Sequence, residues 1–216
     1  GALPPTESMD TCVCMGASVG MALGMEKARG KDFAKKTVAV IGDSTFVHSG
    51  ITGLIDVVYN KGNSTVIILD NSITGMTGHQ HNPTTGYTIK GEPTKQVDLV
   101  KLANAIGIDR VRVADPFDIK EFEKIVKEEV QAEEPSLIIS QRPCALLKHV
   151  KFEGLLRINK ERCKRCKLCL TVGCPAIVDK GDFIEVNEAL CVGCRLCTKV
   201  CRFEAFEKAG DNDEKH

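Results

Sequence analysis

The chain is 216 residues long, 43% hydrophobic and 27% charged, which leaves room for one medium domain and a small one. Lys+Arg and Asp+Glu both number 29, aromatic residues are few and Trp is absent, so composition argues against a nucleic-acid-binding protein. The longest apolar run, residues 12–25, is too short and too broken by glycine to span a bilayer, and no targeting signal is visible, which argues against a membrane protein.

In chain order, residues 11–30 read as a loop entering a helix. Gly16, Gly20 and Gly24 recur every four residues there and leave one helix face nearly bare, as expected of close packing in the core. Residues 37–43 and 64–71 are short β-rich runs ending in polar residues, which suits buried parallel strands. Between them, residues 47–62 read as a helix closed by Gly62. An amphipathic helix over 94–106, a strand over 110–115, a charged helix over 118–134 and a strand over 136–140 follow. Alternating strands and helices predict an α/β fold with a doubly wound parallel sheet across residues 1–143. The pattern stops near Pro143. Residues 144–154 read as a linker, 155–207 as a second domain and 208–216 as a disordered tail.

That second domain holds an internal repeat, because residues 158–169 align with 186–197. Each half is expected to carry a strand, a cysteine loop and a short helix. Eight of the eleven cysteines lie here. Cys163, Cys166 and Cys169 follow CxxCxxC spacing with Cys174 beyond, and Cys191, Cys194 and Cys197 repeat it with Cys201 beyond. Such runs are poor disulfide frameworks and good metal ligands, which points to a reducing, oxygen-poor cytoplasm. Three thiolates on a tight loop cap one face of a cubane. The fourth cysteine, read as starting a helix that leads away, serves the other cluster, as in bacterial two-cluster ferredoxins. One 4Fe–4S cluster is therefore assigned to Cys163, Cys166, Cys169 and Cys201, and a second to Cys191, Cys194, Cys197 and Cys174. Zinc is the alternative reading. The first run has one extra residue before Cys174, and Arg202 stands where a proline usually follows the last cysteine. Lys164, Arg165, Lys167, Arg195, Lys199 and Arg202 crowd the loops. They either raise cluster potential, dock an acidic electron carrier, or are incidental surface charge.

In the larger domain, Gly42, Asp43 and Ser44 directly follow one strand and Asn71 the next. A single βαβ crossover puts both strand ends on one sheet edge, where ligands of open α/β sheets bind. Asp43 and Asn71 thus offer two hard oxygens, suited to Mg²⁺, and a helix beginning soon after Asp43 aims N–H groups at a phosphate. Neither a P-loop nor a GxGxxG fingerprint occurs. His48, five residues past Asp43, is the candidate catalytic donor near a substrate. Cys12 and Cys14 are too close together for a cluster of their own and read as buried structural thiols, with lining of the ligand cleft as the alternative, and Cys144 reads as structural.

The stretches "GDS" and "DN" resemble the diphosphate motif of thiamine diphosphate enzymes. Together with "GDSTFVHSGITGL", "ILDNSITGMTGHQ", "DTCVCMGAS" and the cysteine runs, nearly the whole chain resembles the 2-oxoacid:ferredoxin oxidoreductases. That resemblance implies that Asp43, Asn71 and the carbonyl of Ile73 hold Mg²⁺ on thiamine diphosphate, within a site that also includes Gly42 and Ser44. It places Thr74 and Thr77 on diphosphate oxygens, and His79 and Gln80 among cofactor and substrate contacts. It implies oxidative decarboxylation of a 2-oxoacid to the acyl-CoA and CO₂, with electrons passing through two 4Fe–4S clusters to soluble ferredoxin. An aryl pyruvate such as indolepyruvate is favoured by motif similarity; pyruvate, 2-oxoglutarate and branched-chain 2-oxoacids stay open. The alternative class is a non-catalytic ferredoxin-type electron-transfer subunit. The family also implies a β subunit and an N-terminal pyrimidine domain bearing an activating glutamate. No matching segment occurs here and the chain opens at Gly1, so it is expected to be part of a longer or split subunit that does not turn over alone.

Overall fold

The computed structural model describes residues 1–152 and 154–209. Contacts divide the chain into two units, Cys12–Cys144 and a second made of Gly1–Thr11 with the residues from Ala145 onward.

The first unit opens with α1 (Ala17–Arg29) and the short α2 (Lys31–Ala34), then strand β1 (Val38–Gly42). One continuous helical stretch follows: α3 (Asp43–Thr45), a π-helical turn (Phe46–Gly50) and α4 (Ile51–Tyr59). Next come β2 (Thr65–Asp70), a long connection over 71–98, α5 (Leu99–Ile106), β3 (Arg110–Ala114), α6 (Ile119–Val130) and β4 (Ser136–Gln141). The four strands form one parallel sheet in the order β1-β2-β4-β3. Alternate strand residues serve opposite faces. Ala39, Ile41, Val66, Ile68, Leu137 and Ile139 join Val19, Leu23, Leu54, Val57 and Ala103 of α1, α4 and α5 in one core, whereas Ile67 and Ile138 pack with Ile125 of α6. Helices therefore cover both faces, the doubly wound arrangement expected.

Several local readings change. Gly62 does not supply the left-handed residue that ends α4; Lys61 does, at φ 52°. Gly62 is glycine because an added Cβ would sit 2.7 Å from Leu23 Cδ1. The helix expected over 94–106 begins only at Leu99, where the Asp98 side chain accepts from the N–H groups of Val100 and Lys101. Gly20 and Gly24 are exposed with open space around them. The close α1–α4 approach instead uses Gly53, whose added Cβ would lie 3.2 Å from Val19 Cβ. Cys12 and Cys14, expected to be buried, are exposed in the loop before α1.

The second unit contains β5 (Leu156–Ile158), a 3₁₀ helix (Leu168–Val172), β6 (Ile177–Asp179), β7 (Ile184–Val186), α7 (Leu196–Val200) and β8 (Phe206–Lys208). The repeat halves interlock, with β5 antiparallel to β8 and β6 antiparallel to β7. Lys208, placed in the tail by sequence, pairs with Leu156 in this sheet; residues 210–216 of that tail lie outside the described residues. Gly1–Thr11 groups here rather than with the α/β sheet, and Thr6 and Pro5 lie beside Gly173.

Candidate functional site

Parallel register pairs Gly42 with Leu69, so Asp43 and Asp70 leave the sheet at the same level on its carboxyl edge. Asp43 is 3% exposed. Its Oδ2 accepts from the Thr84 hydroxyl at 3.2 Å and from Asn82 Nδ2 at 3.5 Å. Burial and, further down, the charge of Asp70 push the Asp43 carboxyl above the ordinary carboxylate range, although the Ser44 N–H and the Asn82 and Thr84 bonds pull the other way. Among the described residues no Lys, Arg or His pairs with Asp43. A buried acid beside a second acid is a fitting ligand for a hard cation. Asp70 is tied elsewhere, accepting from Ser72 N–H at 3.0 Å and Gln141 Nε2 at 2.8 Å.

The structure joins several expected residues directly. The Thr74 hydroxyl donates to Ser44 Oγ at 3.0 Å and accepts from Asn82 Nδ2 at 3.3 Å, linking the end of β1 to the loop after β2. Asn71 is held from both sides, since its Oδ1 accepts from Ile73 N–H at 3.2 Å and its carbonyl from Cys144 N–H at 2.9 Å. Other candidates stand apart. Thr77 and Gln80 are bonded to each other at the end of a tight loop closed by a Thr74–Gln80 bridge, and Thr77 is exposed. His79 takes φ 64° and places Nε2 4.0 Å from Cys144 Sγ. His48 is exposed on the π-helical turn, a distortion that recurs at functional sites. Asn82 and Thr84, the buried partners of Asp43, were not expected. Their signal was weak: polar residues in a long loop become site residues only when the loop folds back. Gln96 secures that fold, donating to the Thr84 carbonyl at 2.6 Å.

In the second unit, thiols gather by fours. The Cys169 thiol is pushed up by burial and then by Cys163, Cys166 and Cys201. Cys197 is pushed up to about 12 by burial and then by Cys194, Cys174 and Cys191. The neighbours named in each case are the expected ligand sets, with the fourth cysteine exchanged between runs. Cys163, Cys166, Cys169 and Cys201 also line one cavity with Ile158, Ile184 and Phe203. Among the described residues no three His, Cys, Asp or Glu side chains converge on a single-ion site. The fourth cysteine does not start a helix, as first read. The helix precedes it, and Cys201 ends α7. The extra residue of the first run is absorbed by a 3₁₀ helix followed by left-handed Gly173, φ 67°, in place of α7's α-helical turn. Asn159 and Asn187 open the matching loops, each carbonyl accepting from the N–H of the first cysteine at 3.0 Å. Ala205 N–H points at Cys201 Sγ, 3.4 Å away, a donor that favours thiolate.

Residues 2–140 match the family model of the thiamine pyrophosphate enzyme C-terminal TPP binding domain, and residues 183–206 match a 4Fe-4S binding domain. The chain belongs to the thiamine pyrophosphate enzymes. This member of the family thus combines a thiamine diphosphate site with iron–sulfur clusters. It is 38% identical to indolepyruvate oxidoreductase subunit IorA of Pyrococcus horikoshii, over 99% of this chain and 36% of that protein. It is 37% identical to the IorA subunit of Archaeoglobus fulgidus, over 96% of this chain and 34% of that one. The chain therefore spans about a third of the length of these relatives. Among solved structures, 2-oxoglutarate:ferredoxin oxidoreductase from Magnetococcus marinus aligns with a TM-score of 0.54 at 20% identity, covering 63% of this chain and 48% of that one, which shows a shared fold. No helix among the described residues is long and apolar enough to cross a membrane.

Proposed function

We propose that this chain is the diphosphate-binding and cluster-bearing part of a cytoplasmic 2-oxoacid:ferredoxin oxidoreductase that decarboxylates indolepyruvate or another aryl pyruvate to the acyl-CoA. The observation that carries the reading is a buried, unneutralised Asp43 at a sheet edge on the same chain as two sets of four thiols. The names of the relatives favour indolepyruvate. Bound thiamine diphosphate supplies the carbanion chemistry of decarboxylation. Asp43, Asn71 and the Ile73 carbonyl would hold its Mg²⁺. Ser44 and Thr74 would meet diphosphate oxygens, with Gly42 leaving room for the cofactor, Thr77 and Gln80 shaping the loop edge, and His48 donating to the substrate. Asn82 and Thr84 hold one carboxylate oxygen of Asp43, which leaves the other for the metal. The activating glutamate of an N-terminal pyrimidine domain, the β subunit, coenzyme A and soluble ferredoxin would complete the reaction.

The test is CO₂ release and dye reduction by the assembled complex across a panel of 2-oxoacids, with and without Asp43→Ala. Aryl pyruvates should turn over fastest, and the variant should lose thiamine diphosphate binding. If the intact complex binds no thiamine diphosphate yet still reduces ferredoxin from another donor, the chain is an electron carrier and this reading fails.

A further inference from the structure

The two halves of the second unit are alike in backbone and thiols but not in charge. Residues 160–169 hold five basic side chains, Lys160, Arg162, Lys164, Arg165 and Lys167, against one acid, Glu161. The aligned residues 188–197 hold one of each, Arg195 and Glu188. Both sets present four thiolates, so balancing cluster charge would demand the same basic residues twice. Lys199 and Arg202 follow in the second half, but Arg202 stands next to Cys201 of the first set. Even with Lys167 paired to Asp179, the first set keeps the larger basic excess, which needs another cause. Cys166 of the first set is exposed, whereas the other seven cluster cysteines are partly buried. Arg202 and Phe203, 41% exposed, follow Cys201 of that same set, and Phe203 lines its cavity.

We propose that the face around Cys163, Cys166, Cys169 and Cys201 docks an acidic electron carrier, a small iron–sulfur protein with a negative surface. The inference rests on the oxidoreductase reading above and names where its acceptor binds. Two basic side chains of the loop are tied to the end of β6 and the turn after it: Lys167 Nζ pairs with Asp179 at 2.6 Å and Arg165 Nη1 donates to the Asp182 carbonyl at 2.9 Å. Both residues hold left-handed backbone, φ 61° and 51°. Lys164 and Arg202 make no ion pair among the described residues and are exposed, so their charge is available to a partner. An exposed aromatic ring beside fixed positive charge matches the apolar centre and charged rim of transient interfaces. The exposed thiolate brings the first cluster nearest to the docked acceptor, and electron tunnelling falls steeply with distance.

The experiment uses the assembled, cluster-loaded complex and an acidic two-cluster ferredoxin as probe, with dissociation constants measured by calorimetry over a range of ionic strength. Lys164 and Val192 occupy matching repeat positions, so Lys164→Glu and Val192→Glu put the same acid beside each set in turn. Lys164→Glu and Arg202→Glu should each weaken binding about fivefold at low salt and flatten its salt dependence, while Val192→Glu should change it less than about twofold. Iron content and the electron paramagnetic resonance signals of both clusters check folding; if a charge reversal lowers them, Lys164→Gln and Arg202→Gln replace it, with the same direction expected. Equal loss from Val192→Glu, or wild-type affinity in both basic variants, overturns the surface. A wild-type complex that reduces dye from a 2-oxoacid but binds no ferredoxin overturns the acceptor itself and leaves the decarboxylase reading standing.

Discussion

Asp43 faces Asp70 across the sheet edge and is almost fully buried. Its pKa is raised in the folded chain, so its stabilising contribution is present below the ordinary carboxylate value of 3.8 and is lost as pH rises through the raised one. At neutral pH the ionised carboxylate costs metal-free stability. Asp43→Asn should therefore raise the melting temperature of the metal-free protein by roughly a few degrees. It should also abolish the stabilisation that Mg²⁺ with thiamine diphosphate gives the wild type. Thermal shift across pH 5 to 8 checks both, and the wild-type cofactor shift should shrink as pH falls because protons compete for the same oxygen. A second residue-scale test lies in the cysteine loops. Gly193 has φ 72°, and an added Cβ would meet the Gly154 carbonyl at 2.4 Å. Gly193→Ala should cost about 2–3 kcal/mol, read as iron lost per chain at a given denaturant concentration. Arg165 occupies the matching position at φ 51°. Arg165→Gly should be near neutral, because relief of about 1 kcal/mol of left-handed strain offsets the lost bond to the Asp182 carbonyl.

At the scale of elements, the α1–α4 contact separates two roles for glycine. Gly53 is needed where the helices meet, since its added Cβ would press on Val19 at 3.2 Å. Gly20 has open space in this chain. Gly53→Ala should destabilise the α/β unit by about 1 kcal/mol through overpacking, whereas Gly20→Ala should stabilise it by about 0.5–1 kcal/mol through helix propensity. Opposite shifts in the urea midpoint of the two variants check the assignment. The same helix pair is anchored by buried Glu26, whose carboxylate accepts from Asn63 N–H at 2.9 and 3.0 Å and from the Ser64 hydroxyl at 3.2 Å. Those bonds satisfy the turn that starts β2 and so place its far end, with Asn71, at the site.

At the scale of the whole molecule, the two units differ in what stabilises them. The sheet unit has an extensive core fed by both faces. Among the described residues of the second unit the buried apolar side chains are Leu156, Ala176, Ile177, Ile184 and Ala205, too few to order a segment of this length without metal. Chelating the iron should unfold the second unit and leave the parallel sheet intact. Far-UV circular dichroism with hydrogen exchange checks this: amides of 155–209 should lose protection while those of β1, β2 and β4 keep it. Loss of protection throughout would mean that the sheet depends on the clusters.

The strands, their parallel pairing and the grouping of Cys201 with the first cysteine run and Cys174 with the second were legible in the sequence, because each is carried by local periodicity or fixed spacing. The Asp43 and Asn71 positions were legible too, since strand ends locate a sheet edge. Asn82 and Thr84 were not, because they reach Asp43 through a loop whose path depends on tertiary bonds such as Gln96 to the Thr84 carbonyl. Gly20, Gly24 and Gly62 were misread for a related reason: a glycine in a sequence marks a missing side chain, and only the packed structure shows whether anything stands where that side chain would be. The charge difference between the repeat halves was present in the sequence throughout. It gained meaning only when the fold showed which thiol faces solvent.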